Sequence, residues 1–131
     1  ENDLKELFSL TNVKHHTWIP INELPEIIST FDVGLITYKT KKHNTDTLLN
    51  TGDSLKKYQY LACNVPVITS DCQEIDSDLA GGIFTYYEQK EMKYLIEQVI
   101  YNEKIINYRT LVKKYDWNLI LKKILKYTTE N

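Results

Sequence analysis

Ser54-Leu55-Lys56-Lys57-Tyr58-Gln59-Tyr60-Leu61-Ala62-Cys63-Asn64-Val65-Pro66-Val67-Ile68-Thr69 is the stretch whose reading decides the fold. Residues 54–63 read as a helix, with Leu55, Tyr58, Leu61 and Ala62 expected on the face that packs against a sheet. Lys56, Gln59 and Cys63 fall on another face. Asn64 stands where a helix end needs a left-handed residue, a conformation that Asn tolerates better than most side chains. Val65–Thr69 then reads as a strand, apolar on both faces, as in a parallel sheet covered on both sides.

Working outward, Val33-Gly34-Leu35-Ile36 is a second short apolar run and Gly82-Ile83-Phe84-Thr85-Tyr86 a third. A further strand-like stretch lies within Asn12–Trp18, which would make four strands. Between them, Ile21, Leu24, Ile27, Ile28 and Phe31 recur at helical spacing. Asn22 is the expected N-cap and Pro25 falls in the first turn, where proline is tolerated. Met92, Leu95, Ile96, Val99 and Ile100 form a clear helical stripe. Ile105, Tyr108, Leu111 and Val112 suggest another helix, and Asp116 caps a last one carrying Trp117, Ile120, Leu121 and Ile124. Strands alternating with helices predict an α/β fold: a partial Rossmann-like parallel sheet flanked by helices, with a helical C-terminus.

Composition bounds the rest. At 131 residues the chain is one domain at most, 1–131. It is 42% hydrophobic and 26% charged, in the globular range, with a net charge of −2. That balance lacks the basic excess of a general nucleic-acid binder, so no nucleic-acid partner is expected. No apolar run is long enough for a membrane span. No leader with a cleavage site is recognisable. Cys63 and Cys72 are too few for a metal cage or a disulfide framework. They suggest a reducing cytoplasm.

The usual catalytic fingerprints are missing: no G-x-G-x-x-G, no G-K-[ST], no G-x-S-x-G and no H-E-x-x-H. His15 and His16, adjacent on the predicted strand, would point to opposite faces, and His43 falls in a polar loop. The helix start at Ser54 offers more. Lys56 and Lys57 sit in its first turn, where cations oppose the macrodipole. Free N–H groups at that end already attract an anion, and two ammonium groups would strengthen the cradle. Thr51-Gly52-Asp53-Ser54 just before it is small enough for close backbone approach. The loop also leaves the carboxyl end of a strand, where open α/β sheets bind ligands. Alternatively, both lysines are solvated surface groups paired with Asp53.

The order of several motifs resembles one family. Trp18-Ile19-Pro20 with Leu24-Pro25, Asp32-Val33-Gly34-Leu35-Ile36-Thr37-Tyr38-Lys39, Leu55-Lys56-Lys57-Tyr58-Gln59-Tyr60-Leu61-Ala62, Val65-Pro66-Val67-Ile68-Thr69-Ser70 and the closing Tyr115-Asp116-Trp117 carry the likeness. Together they resemble the C-terminal, nucleotide-sugar donor-binding half of GT-B glycosyltransferases of the bacterial cell-surface polysaccharide type. The resemblance covers most of the chain. It implies a UDP- or GDP-linked sugar donor, no metal and no other cofactor. It implies a glycan or lipid-linked acceptor held by a second domain, a cytoplasmic location, and peripheral membrane association through that domain. It implies that the acceptor domain and the first strand-helix unit lie outside this chain, which alone should not turn over.

By the same resemblance Lys56 is the catalytic candidate, meeting the departing diphosphate. Gly52, Asp53, Ser54 and Leu55 would surround the phosphates or sugar with N–H groups. Trp18 and Ile19 would line the base, Tyr38 and Lys39 would face the cleft, and Gln59 would meet the ribose. The family carries glutamate at the position of Gln59, proline at Ser54 and glycine at Asn64, and many members have glutamate at Thr51. These departures leave open a non-catalytic nucleotide-sugar binding module. An epimerase of the same fold and a phosphoacceptor receiver domain also compete with the transferase; the receiver lacks its paired acids at a strand end.

Overall fold

The structure, a computed structural model, describes residues 6, 8–38, 54–71, 75–101, 106–116 and 118–122. In chain order these form α1 (Leu24–Ile28), β1 (Gly34–Ile36), α2 (Leu55–Ala62), β2 (Val67–Ser70), a 3-10 turn (Ser77–Leu79), β3 (Ile83–Tyr86), α3 (Gln89–Ile100), α4 (Arg109–Val112) and a second 3-10 turn (Lys113–Tyr115). A further helical stretch, α5, runs over 118–122. The three strands make one parallel sheet in the order β1-β2-β3. The α/β class and the parallel sheet flanked by helices are as the sequence predicts. The count of four strands is not: residues 13–20 run as irregular chain without strand pairing. His15 is therefore not a strand residue, and its ring stacks on Phe8 at 4.2 Å between centroids.

Strand alternation sorts the core into two layers. On one face, Ile36, Val67 and Ile83 pack with Leu61 of α2, Leu79 of the 3-10 turn, and Tyr108 and Val112 of the C-terminal segment. On the other, Ile68 and Tyr86 pack with Val99, flanked by Met92, Leu95 and Ile96 of α3. The predicted stripe of α3 thus faces the sheet, except that Ile100 is largely exposed. Glu91 pins the start of α3 by accepting the N–H groups of Tyr87 (2.8 Å) and Glu88 (3.1 Å). The N-cap of α1 is Glu23 rather than Asn22, and Pro25 does sit in its first turn. Ile21 and Phe31, expected inward with that helix, are exposed; only Ile28 is fully buried.

The helix–strand unit at 54–70 is built largely as its sequence suggests. Asn64 has φ 65°, and among the described residues it is the non-glycine with positive φ. Its N–H donates to the Leu61 carbonyl (3.0 Å) and the Val65 N–H to the Tyr60 carbonyl (2.9 Å). These two bonds close a Schellman motif and turn the chain into β2. Thr69 secures β2 to β1 by donating its hydroxyl to the Ile36 carbonyl (3.2 Å).

The rotation of α2 departs from expectation. Leu61 is fully buried, but Leu55 is 74% exposed and Ala62 is exposed, whereas Lys57 is only 4% exposed. Two close approaches set this. A Cβ on Gly34 would lie 2.5 Å from the Tyr60 ring, and one on Gly82 would lie 2.6 Å from Leu61 Cδ2. Both glycines are gaps into which α2 side chains fit. With Leu61 centred on the sheet, Lys57 lies one turn earlier on the same face and Leu55 about 120° away.

The C-terminal segment is fastened from outside the sheet. Arg109 Nε donates to the Ala62 carbonyl at the end of α2 (2.8 Å). The Tyr115 hydroxyl bonds Asp76 and the Lys114 ammonium pairs with Asp78, joining both 3-10 turns. Asp116 Oδ1 accepts the Asn118 N–H (2.7 Å), so it caps α5 as its sequence position suggests. Ile105, Trp117, Ile124 and Cys72 lie outside the described residues.

Two outcomes test this packing. Leu61→Ala should cost about 2–5 kcal/mol in chemical denaturation, and Gly34→Ala about 1–3 kcal/mol although it adds only a methyl group. Burial pushes the phenols of Tyr60 and Tyr108 above their ordinary value near 10. Their stabilising contribution is complete below about pH 10 and is lost as the pH rises through the raised folded values. An alkaline melt series should show that decline beginning near pH 10.

Candidate functional site

The carboxyl end of β1 leads through Thr37 to Tyr38, and the amino end of α2 begins at Ser54. Tyr38 is partly buried against the core cluster that contains Ile36 and Leu61. The Lys56 ammonium lies 5.8 Å from the centroid of its ring. A packed aromatic ring thus supports a charge that is otherwise exposed, a favourable arrangement for a cation and a π face. Two residues named from sequence, Tyr38 and Lys56, are thereby brought together.

The electrostatics of the helix end follow from its composition. Ser54 is extended (φ −79°, ψ 118°) and its side chain makes no capping bond to α2. The first turn holds no acid and two lysines. The leading N–H groups of a helix have no carbonyl partner within it, and their partial positive charge adds to that of the lysines. An anion at this end would be met by N–H dipoles and the Lys56 ammonium together.

Lys57 is different. It is neither solvated nor a second exposed ammonium: it is buried on the face of α2 shared with Leu61, and its ammonium lies 5.3 Å from the Tyr58 ring centroid. Tyr58 in turn contacts Tyr115, with centroids 5.0 Å apart. The simple picture of two solvated lysines is therefore corrected for Lys57. The signal is present in the sequence, since four-residue spacing links Lys57 to Leu61.

The remaining predicted residues divide into three groups. Ser54 and Leu55 occupy the helix start, with the Leu55 side chain turned to solvent. Gln59, exposed, follows Lys56 by three residues and so lies on the same side of α2. Trp18 and Ile19 belong to the irregular stretch before α1, where the indole is 81% exposed and Ile19 half-buried. Lys39, Gly52 and Asp53 lie outside the described residues, as do Thr51 and His43.

Sequence reasoning passes over Thr69 and Ser70, polar residues fully or almost fully buried at the carboxyl end of β2. Their neighbours in an apolar run hide them. Among the described residues, no group of three or more His, Cys, Asp or Glu side chains could hold a metal ion. Cys63 ends α2, and burial pushes its thiol up more than the nearby Arg109 pulls it down. A protonated thiol is a poor nucleophile.

Comparison with known proteins gives a distant relative. The chain is 23% identical over 134 aligned residues to a protein of Bacillus subtilis (strain 168) named as a teichuronic acid biosynthesis glycosyltransferase, TuaH. The alignment covers 95% of this chain and 32% of the relative, so the chain spans about a third of that protein's length. No family model matches the chain, and no solved structure resembles it significantly.

The contrast between the adjacent lysines is directly measurable. Lys56→Ala should leave the melting temperature within about 1–2 °C of the parent, because an exposed side chain is removed. Lys57→Ala should lower it by several degrees, since it empties a buried position.

Proposed function

We propose that this chain is the donor-binding part of a glycosyltransferase, holding a nucleotide-sugar at the amino end of α2. The observation that carries this proposal is the Lys56 ammonium resting on Tyr38 beside a helix start that has no acid in its first turn. The similarity to TuaH supports glycosyl transfer as the general chemistry.

In such a transfer the bond from the anomeric carbon to the diphosphate breaks, and its electron pair leaves with the phosphate oxygen. The acceptor hydroxyl forms the new bond to that carbon and gives up its proton. The developing charge on the leaving group is the quantity to stabilise. Lys56 and the N–H groups of Ser54 and Leu55 would meet it, with Gly52 and Asp53 extending the cradle. Gln59 would hydrogen-bond the ribose hydroxyls through its neutral amide, a weaker partner than a carboxylate. Trp18 and Ile19 would lie against the base, and Tyr38 and Lys39 would line the cleft. The donor is a UDP- or GDP-linked sugar. The acceptor, a glycan or a lipid-linked glycan, would be held by another domain, so the chain by itself binds donor without turnover. The reaction needs no metal where lysine and helix dipoles carry the charge.

Isothermal titration of the folded chain with UDP, GDP, ADP and CMP tests this. Saturable binding of one diphosphate is expected, weakened by Lys56→Ala by about 1.5–3 kcal/mol, the worth of a charged hydrogen bond. Gln59→Glu should tighten it. A folded chain that binds none of these, or binds equally well without the Lys56 ammonium, would overturn the assignment.

A further inference from the structure

β1 is held differently at its two ends. Among the described residues it is an edge strand, paired with β2 alone. Its amino end is fixed twice: the Gly34 N–H donates to the Pro66 carbonyl (2.8 Å), and the Tyr60 ring fills the space that a side chain at Gly34 would take. At the carboxyl end the register closes with Ile36 opposite Thr69, while β2 runs one pair further with β3, Ser70 opposite Tyr86. Past Ile36 the chain passes through exposed Thr37 to Tyr38.

The Thr69 hydroxyl stands at that last pair. Thr69 is 2% exposed, and its hydroxyl lies within bonding distance of two carbonyl oxygens, Ile36 on β1 (3.2 Å) and Ser70 on β2 (3.4 Å). A proton shared between them ties the ends of adjacent strands together. Valine would fill the same space and make neither bond. The Ile36 carbonyl and the Thr37 nitrogen belong to one planar peptide, so holding the oxygen fixes the direction in which the chain leaves β1. Tyr38 then lays its ring against the cluster containing Ile36 and Leu61, with the Lys56 ammonium 5.8 Å from its centroid.

We propose that Thr69 is a positioning residue for the candidate site: its hydroxyl fixes the exit of β1 and thereby holds the Tyr38 ring beside Lys56. Its consequence for a bound diphosphate rests on the proposed function; the placement of Lys56 on Tyr38 does not.

Nuclear magnetic resonance of the whole chain reads that placement, as the shift that the Tyr38 ring current imposes on the Lys56 side-chain protons, with Tyr38→Leu as the zero. Thr69→Val should lose most of the shift, and Thr69→Ser, which keeps the hydroxyl, should retain it. Thr85→Val, opposite Thr69 on β3, should leave it unchanged. If Thr69→Val fails to fold by circular dichroism, Thr69→Ala is read in its place. In titrations with UDP and GDP, Thr69→Val should weaken binding of the preferred diphosphate by about threefold to tenfold, the range of one neutral hydrogen bond. In a Lys56→Ala background it should have no further effect, because the two residues act through one contact. The proposal is overturned by a parent shift no different from that of Tyr38→Leu, by a shift that survives in folded Thr69→Val, by failure of Thr69→Ser to retain it, or by equal weakening with and without Lys56. A parent chain that binds no diphosphate would overturn the donor assignment, and the ring-current shift would still decide the role of Thr69.

Discussion

The seating of α2 on the sheet is governed by two absent side chains. Gly34 on β1 and Gly82 before β3 leave room where Tyr60 and Leu61 descend, and no larger residue fits either place without displacement. A helix has only one rotation that satisfies both contacts. That rotation puts Lys57 inside, Lys56 outside and Leu55 in solvent. The candidate site therefore inherits the placement of Lys56 from the packing below it. Tyr38 links the two levels: one side of the ring belongs to the core, and Lys56 rests near it.

Local patterns make much of the fold legible. The three apolar runs mark the observed strands to within two residues, because a strand covered on both faces leaves few positions for polar groups. Asn64 is readable because few residues tolerate its backbone conformation. Asp116 is readable because its cap bond is local. The stretch 12–18 reads as strand-like yet pairs with none in the described chain, and pairing is a property of two segments, not one. Ranking Leu55 above Lys57 on hydrophobicity gives the wrong rotation for α2. The spacing from Leu61 favours Lys57, and the glycines opposite α2 decide it.

The candidate site is legible to the same extent and for the same reason. Tyr38 follows β1 and Lys56 lies in the first turn of α2, the next described helix, so their meeting follows from a strand and a helix taken in chain order. Trp18 and Ile19 precede α1, and a meeting with the site would come only through tertiary arrangement, for which no local pattern exists. Lys57 shows the converse: a residue type that normally signals surface sits in the core, its ammonium beside an aromatic ring, where its stem fills volume as an aliphatic group would.

The parallel sheet also sets how the molecule must be assembled. Parallel neighbours cannot be joined by a tight hairpin, so each pairing waits for an intervening excursion of the chain to close. The bond between Thr69 and the Ile36 carbonyl alone spans 33 residues. Such closures cost entropy before any ladder bond repays it, which slows the search for the native state. The Schellman turn at Asn64 works in the opposite direction. It forms within a few residues and delivers α2 and β2 as a preset elbow, a local nucleus onto which β1 and β3 can be recruited.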